Sequence, residues 1–370
     1  MTEPMRGADP TVALREGDDL VVAELSAGAF VRQSRLPGCQ THELRPYPVR
    51  LIRHDHGVSV VAAAVDGGAP VHHADCVGGE FTTLPASPAT DPQPGQYRVL
   101  RDGSAVLVGA TRKETPLGTV RSVHRLPWAA TAWEEVPVPD RYLVLGATST
   151  PTEPLVLTGG RLEAPDRSGE PGRLPVLLTP APAGDGWREL DLTGWGRPSV
   201  GWRERLGGAG VDPCTGAFET AAGAGDLWCA VTEFGDWWEH ILLYGADAAA
   251  RSWSFLRLSH DGLAGRPSVA ADGITAVSAS GRLLRYTRGS HRWSSSDLRP
   301  VLRGLLPGAP GAVVTDATVT GDRLLLAVGP SGTELPKATL VCSLPLDGSA
   351  AETVYDTAAD PDREVLALMS

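Results

Sequence analysis

The 370-residue chain carries a formal net charge of -11, which argues against a nucleic-acid partner, because such binders show a basic excess or stripe. Hydrophobic residues make up 42% of it, while Gly and Pro reach 43 and 31 copies, a composition of many turns and short strands rather than long helices. No stretch reaches the roughly 18 uninterrupted apolar residues of a membrane span, and MTEPMRGADPTVALREGDDL at the N-terminus lacks the apolar core of a signal peptide.

A cytoplasmic address without a membrane partner is therefore expected, with residues 1–18 as an N-terminal tail. The five cysteines, Cys39, Cys76, Cys214, Cys229 and Cys342, are widely spaced and free of any CxxC pair, which disfavours a disulfide framework or a zinc knuckle. Reduced thiols are expected. Abundant Ala, Gly, Arg and Pro with little Lys fits a GC-rich, for example actinobacterial, genome.

From Gly17 the chain reads GDDLVVAEL, a Gly/Asp turn followed by a largely apolar strand, as where a tight hairpin feeds a buried strand. The phrase returns as HGVSVVAAAV from His56, DGSAVLVGA from Asp102, a weaker EPLVLTGG from Glu153, GDLWCAVTE from Gly225, DGITAVSAS from Asp272 and GDRLLLAVG from Gly321. An aromatic residue opens a later strand: Phe81 in FTTL, Trp133 in WEEVPV, Trp187 in WRELDL, Trp253 in WSFLRL and Trp293 in WSSSDL. Before the turn comes a lead-in: PGQYRVL from Pro94, PDRYLVL from Pro139, GRPSV at Gly196 to Val200 and again at Gly265 to Val269, and PDREVLALM from Pro361.

Each unit thus reads as lead-in strand A, hairpin strand B, strand C and outer strand D, and four such strands make one propeller blade. The N-terminus starts with a hairpin phrase and no lead-in, whereas the C-terminus supplies a lead-in and stops. The expected fold is all-β: one seven-bladed β-propeller over residues 19–370, closed by a C-terminal strand A at about 363–369 joining strands B to D at about 19–44. Six or eight blades, a β-sandwich pair and a β-helix are the competing architectures. Pro/Gly-rich stretches at 159–173 and 206–224 read as surface loops.

GRPSVAADGITAV followed by GRLLRYTRG, from Gly265 to Gly289, resembles one blade of the seven-bladed bacterial lectins related to the Photorhabdus fucose-binding lectin. That resemblance implies sugar pockets between blades, with aromatic side chains stacked on the ring. It covers essentially one blade, and most others depart from the pattern.

Loops before strand A and between B and C meet on one face of a propeller, the usual place for a ligand. Arginine recurs at the lead-ins, at Arg45, Arg98, Arg141, Arg197, Arg266 and Arg363, and is missing near Val314. Such a ring suits a carboxylate-, phosphate- or sugar-containing ligand through bidentate, charge-assisted hydrogen bonds; the competing reading pairs each Arg with a neighbouring acid. In EFGDWWEH, Trp237 and Trp238 can stack on a ligand with Asp236 beside them, while Glu239 and His240 are the catalytic candidates if the chain is an enzyme. His54, His56 and His72 are weak metal candidates, set at opposite ends of one blade; no metal and no cofactor is expected.

No GxSxG elbow, HExxH, Walker loop or repeated Asp-box is present. The leading expectation is a small-ligand-binding propeller, lectin-like or anion-binding, with its site on the channel face. One alternative is an intracellular lyase, cyclase or isomerase of specialised metabolism, by fold-level analogy with the streptogramin lyases. The other is a protein-interaction scaffold.

Overall fold

The computed structural model describes residues 10–26, 29–37, 49–62, 71–74, 81–89, 96–165, 171–182, 186–192, 195, 218–234, 240–331, 337–357 and 363–369. Within them lie seven antiparallel sheets of four strands each. Blade one holds β1 (Thr11–Glu16), β2 (Asp19–Ser26) and β3 (Ala29–Leu36), and blade two β4 (Arg50–His54), β5 (Gly57–Val61), β6 (Val71–Ala74) and β7 (Phe81–Thr83). Blade three holds β8 (Tyr97–Val99), β9 (Ala105–Thr115), β10 (Gly118–Leu126) and β11 (Glu134–Glu135), and blade four β12 (Tyr142–Thr148), β13 (Val156–Pro165), β14 (Pro171–Pro180) and β15 (Trp187–Asp191). Blade five holds β16 (Thr220–Ala224), β17 (Leu227–Phe234), β18 (His240–Asp247) and β19 (Ser252–Ser259), and blade six β20 (Ser268–Ala270), β21 (Gly273–Val277), β22 (Arg282–Thr287) and β23 (Arg292–Asp297). A short helix, α1 (Arg299–Leu305), leads to blade seven, with β24 (Ala312–Thr320), β25 (Arg323–Pro330), β26 (Leu340–Pro345) and β27 (Glu352–Asp356), before β28 (Arg363–Met369) returns to blade one.

Sheet order follows chain order in blades two to seven, and blade one reads β28-β1-β2-β3. First strands of neighbouring blades lie against one another: β28 against β24 and β4, β12 against β8 and β16, and β16 against β20. They form the channel wall. Gly146 of β12 lets two of them approach, since a Cβ there would stand 2.2 Å from the Glu219 carbonyl oxygen.

Middle strands are covered on both faces, so they read as almost unbroken apolar runs, as in DLVVAELS of β2 and RLLLAVGP of β25. Outer strands face water, and RWSSSD of β23 is mostly exposed. The buried side chains fall into clusters that each bridge two blades. Val61 and Ile52 meet Tyr97 and Leu107 between blades two and three, and Val156 and Leu177 meet Phe218 and Trp228 between four and five. Corresponding clusters join one to two, three to four, five to six and six to seven. The last sets Val12, Leu14, Val21 and Val365 of blade one against Leu325, Ala327 and Val341 of blade seven, so the ring is closed. Each such side chain contributes on the order of 1.5–3 kcal/mol by burial.

Closure runs through β28 and β1, paired from Thr11↔Met369 to Glu16↔Arg363. Ion pairs Arg15–Glu364 at 2.6 Å and Arg363–Glu16 at 2.7 Å flank the seam. This differs from the sequence expectation by one strand: Thr11–Glu16, within the expected tail, takes position B, and GDDLVVAEL becomes the third strand. The strand-A partner of β1 lies at the far end of the chain, so no A-to-B turn joins the two, and the Gly17–Asp18 turn joins β1 to β2 instead.

Two further expectations are corrected. In blade five the innermost strand is TAAGA of β16, because the two-residue turn after Ala224, with Gly225 at φ 58°, pairs Ala224 directly with Leu227. The GRPSV at 196–200 lies outside the described residues. In blade four the described residues of the 159–173 stretch lie in two paired strands, with Arg161 opposite Leu174 and Pro165 opposite Pro171.

Candidate functional site

Three arginines converge on the channel wall. Arg50 opens β4, Arg98 is the middle residue of β8, and Arg266 lies just ahead of β20. Arg98 is buried, with 8% of its surface exposed, and its Nη1 donates to the Tyr97 carbonyl at 2.8 Å. Desolvation, reinforced by repulsion from Arg50 and Arg266 and opposed by Glu219, lowers its pKa to about 9. Arg266 is lowered to about 10, again by desolvation first and then by Arg50, with Asp316 acting in the opposite sense.

Arg266 is nevertheless open to solvent. A group that water reaches but hydrates poorly is what the wall of a narrow channel provides, and there charges act over longer range than in bulk water. Arg98 and Arg266 stay charged at neutral pH, so both are held against the field of Arg50.

Two carboxylates share this level. Glu219 immediately precedes β16, and Asp316 lies within β24, the blade whose lead-in lacks arginine. Asp316 Oδ2 accepts from the Leu368 backbone N–H at 2.7 Å and Oδ1 from its neighbour Ala317 at 2.9 Å. Burial nevertheless pushes its pKa up to about 6, against those hydrogen bonds and the fields of Arg266 and Arg50. Gly265 makes room for it: its φ is +76°, and a Cβ there would lie 2.3 Å from the Ala317 carbonyl oxygen and 2.5 Å from Asp316 Oδ1.

Of the arginines expected to form a ring, Arg98 senses the charge of Arg266. Arg141 is held elsewhere: its guanidinium stacks 4.9 Å over Tyr142, whose hydroxyl reaches Glu189 on the outer strand β15. Arg363 is likewise taken up by the seam, with its guanidinium against Glu16 and 5.8 Å from the centre of the Phe30 ring. Arg45 and Arg197 lie outside the described residues. Arg50, Glu219 and Asp316 were not singled out in the sequence; Arg50 and Asp316 stand as far ahead of the end of their strand A as Arg266 does, and that spacing is the signal that finds them.

Asp236, Trp237, Trp238 and Glu239 also lie outside the described residues. They belong to the connection of β17 and β18, where Phe234 pairs with His240; the His240 side chain is outside too. His54 is spent on its own turn. Its Nδ1 accepts from the His56 backbone N–H at 3.2 Å, which leaves Nε2–H to donate to Ser59 Oγ at 3.0 Å. His56 stacks on Trp128 of blade three, with ring centres 4.8 Å apart and planes at 10°. These two histidines bind blades together, and the His72 side chain is outside the described residues. Cys229 and Cys342 are buried free thiols, and burial pushes the Cys342 thiol up to about 12.

No family model matches the chain, and no curated protein matches its sequence. Among solved structures it is similar to YCF48 bound to D1 peptide, at 12% identity over 90% of this chain and 97% of that one, with a TM-score of 0.39. It is also similar to dihydro-heme d1 dehydrogenase NirN in complex with DHE, at 13% identity over 100% and 77% with a TM-score of 0.46. The Pseudomonas aeruginosa periplasmic gluconolactonase PpgL aligns at 12% identity over 94% and 95%, with a TM-score of 0.45. These likenesses are loose, and the assignment as a seven-bladed β-propeller rests on the chain's own sheet order, its blade-to-blade clusters and its closure.

Proposed function

We propose that this chain is a small-ligand-binding β-propeller that captures a carboxylate or another small anion at the arginine level of its channel. The observation that carries this reading is that Arg98 and Arg266 are held where burial and the charge of Arg50 both lower their pKa, in a chain of net charge -11. Like charges gathered where hydration is poor raise the energy of the empty site, and an anion lowers it through charge-assisted, bidentate hydrogen bonds. Arg266 is open to such a ligand, because among the described residues it makes no hydrogen bond or ion pair.

The other readings draw less from the described residues. A docking platform for proteins calls for an apolar surface, and the large exposed apolar side chain among them is Val31 alone. The catalytic and sugar-stacking readings depend on Trp237, Trp238, Glu239 and His240, whose side chains lie outside the described residues.

Calorimetric titration and thermal shift with acetate, butyrate, phosphate and sulfate at low salt test the reading. A rise in melting temperature with at least one of them, weakened about tenfold in Arg266→Gln and Arg98→Gln, is expected. A folded protein that responds to none of the four overturns it.

A further inference from the structure

The charges at the channel level are not evenly spread. Going round the ring, blades two and three present Arg50 and Arg98, blade five Glu219, blade six Arg266 and blade seven Asp316. The blades of the two carboxylates thus flank that of Arg266 and do not adjoin those of Arg50 and Arg98. A plain anion gains nothing from them and is repelled by them, since like charge at a site discriminates against the wrong ligand.

Resting on the anion site proposed above, we infer that its ligand is a small zwitterion, with a carboxylate toward Arg50 and Arg98 and an ammonium, some bonds away, toward Asp316 and Glu219. Asp316 has the capacity for this contact. Each of its oxygens accepts one backbone N–H, and a carboxylate offers about four lone-pair sites, so two remain. The cation nearest to hand does not use them: Arg266 feels the field of Asp316, yet among the described residues no ion pair or hydrogen bond joins the two.

The groups facing Asp316 are Arg50 from β4, Arg266 from the approach to β20, and the N–H groups of Leu368 and Ala317. Their combined effect leaves the carboxylate poorly stabilised, as its pKa of about 6 records. An ammonium brought by the ligand supplies the missing stabilisation, whereas a second anion worsens it. The same substitution should therefore act in opposite directions on the two kinds of ligand.

Calorimetric titration of the full chain at about pH 8, where the carboxylates are charged, compares glycine, β-alanine, γ-aminobutyrate and ε-aminocaproate with acetate, propionate, butyrate and caproate. At least one amino acid is expected to bind about tenfold tighter than its unaminated partner. Asp316→Asn should weaken that amino acid and tighten the plain carboxylate, and Glu219→Gln, which leaves the Leu368 contact intact, should shift both in the same directions. If plain carboxylates bind as tightly as their aminated partners and lose affinity in Arg98→Gln, the anion site stands and the zwitterion is overturned. If neither series binds, the zwitterion is overturned, and the anion site stands or falls by its response to phosphate and sulfate.

Discussion

Two Arg–Asp couples cross from one blade to the next, and they behave in opposite ways. Between blades five and six, Arg288 closes on Asp247 through Nε at 2.6 Å and Nη2 at 3.0 Å, while the Ala249 and Ala250 N–H groups donate to the same carboxylate. The Asp247 pKa is lowered, first by the Arg288 hydrogen bond. Between blades six and seven, Arg266 and Asp316 sense each other without touching, and the Asp316 pKa is raised because desolvation outweighs the stabilisation its neighbours supply. The closed couple is structural cement, with four donors gathered on one carboxylate. The open couple holds unspent interaction, which is the condition for binding something else.

The largest effect should come from removing the strand on which the open couple leans. Deleting residues 361–370 takes away β28, its pairing with β1 and the Leu368 donor to Asp316. The truncated chain should unfold or oligomerise, as read by size-exclusion chromatography and melting. A monomer with an unchanged melting temperature would contradict the closure.

Next in size, Asp247→Ala strands Arg288 and two backbone donors, and should cost about 2–3 kcal/mol in denaturant unfolding. Arg266→Gln removes a repelled charge that holds no hydrogen bond among the described residues, so stability should stay level or rise while anion affinity drops about tenfold. Equal destabilisation by the two substitutions would erase the distinction between the couples.

The smallest effect is the sign of the pH dependence. Asp316 is raised in the fold above the usual carboxylate value of about 4, so its contribution is fully present below that value and is lost as pH rises through about 6. Asp247 is depressed, so its contribution is present above about pH 4 and is lost as pH falls through its folded value. Melting curves of Asp316→Asn should match the parent in acid and run a few degrees higher at about pH 8. Those of Asp247→Ala should run lower than the parent at neutral pH and approach it only in strong acid.

Strand B was legible in sequence wherever a two-residue turn joins it to strand A, because such a turn fixes both the pairing and the buried face of the second strand. Legibility failed where that link is broken or plain. Strand β1 has its partner at the other end of the chain, and TAAGA of β16 carries no large side chain to mark it. The same logic separates the site residues. Arg98 and Arg266 follow clear lead-ins, whereas RPYPVRLIRH offers Arg45, Arg50 and Arg53, and only distance from the HDHG turn selects Arg50. Arg53 instead donates to Thr11 Oγ1 at 3.3 Å. Glu219 and Asp316 stayed hidden because a pattern of one charge sign does not reveal where it is interrupted, and the contact that positions Asp316 comes from Leu368, a residue of another blade.

The pairing of Thr11 with Met369 also sets an order of events on the ribosome. During synthesis β1 emerges first and must wait for nearly the whole chain before its neighbour exists. Until then one edge of the nascent protein offers unpaired N–H and C=O groups, and the buried face of β1 has only part of its cover. Folding can spread blade by blade, but the channel level, with Asp316 waiting on Leu368, is completed only when the final residues arrive. A stalled or prematurely ended chain would therefore carry most of its blades and an unfinished channel level.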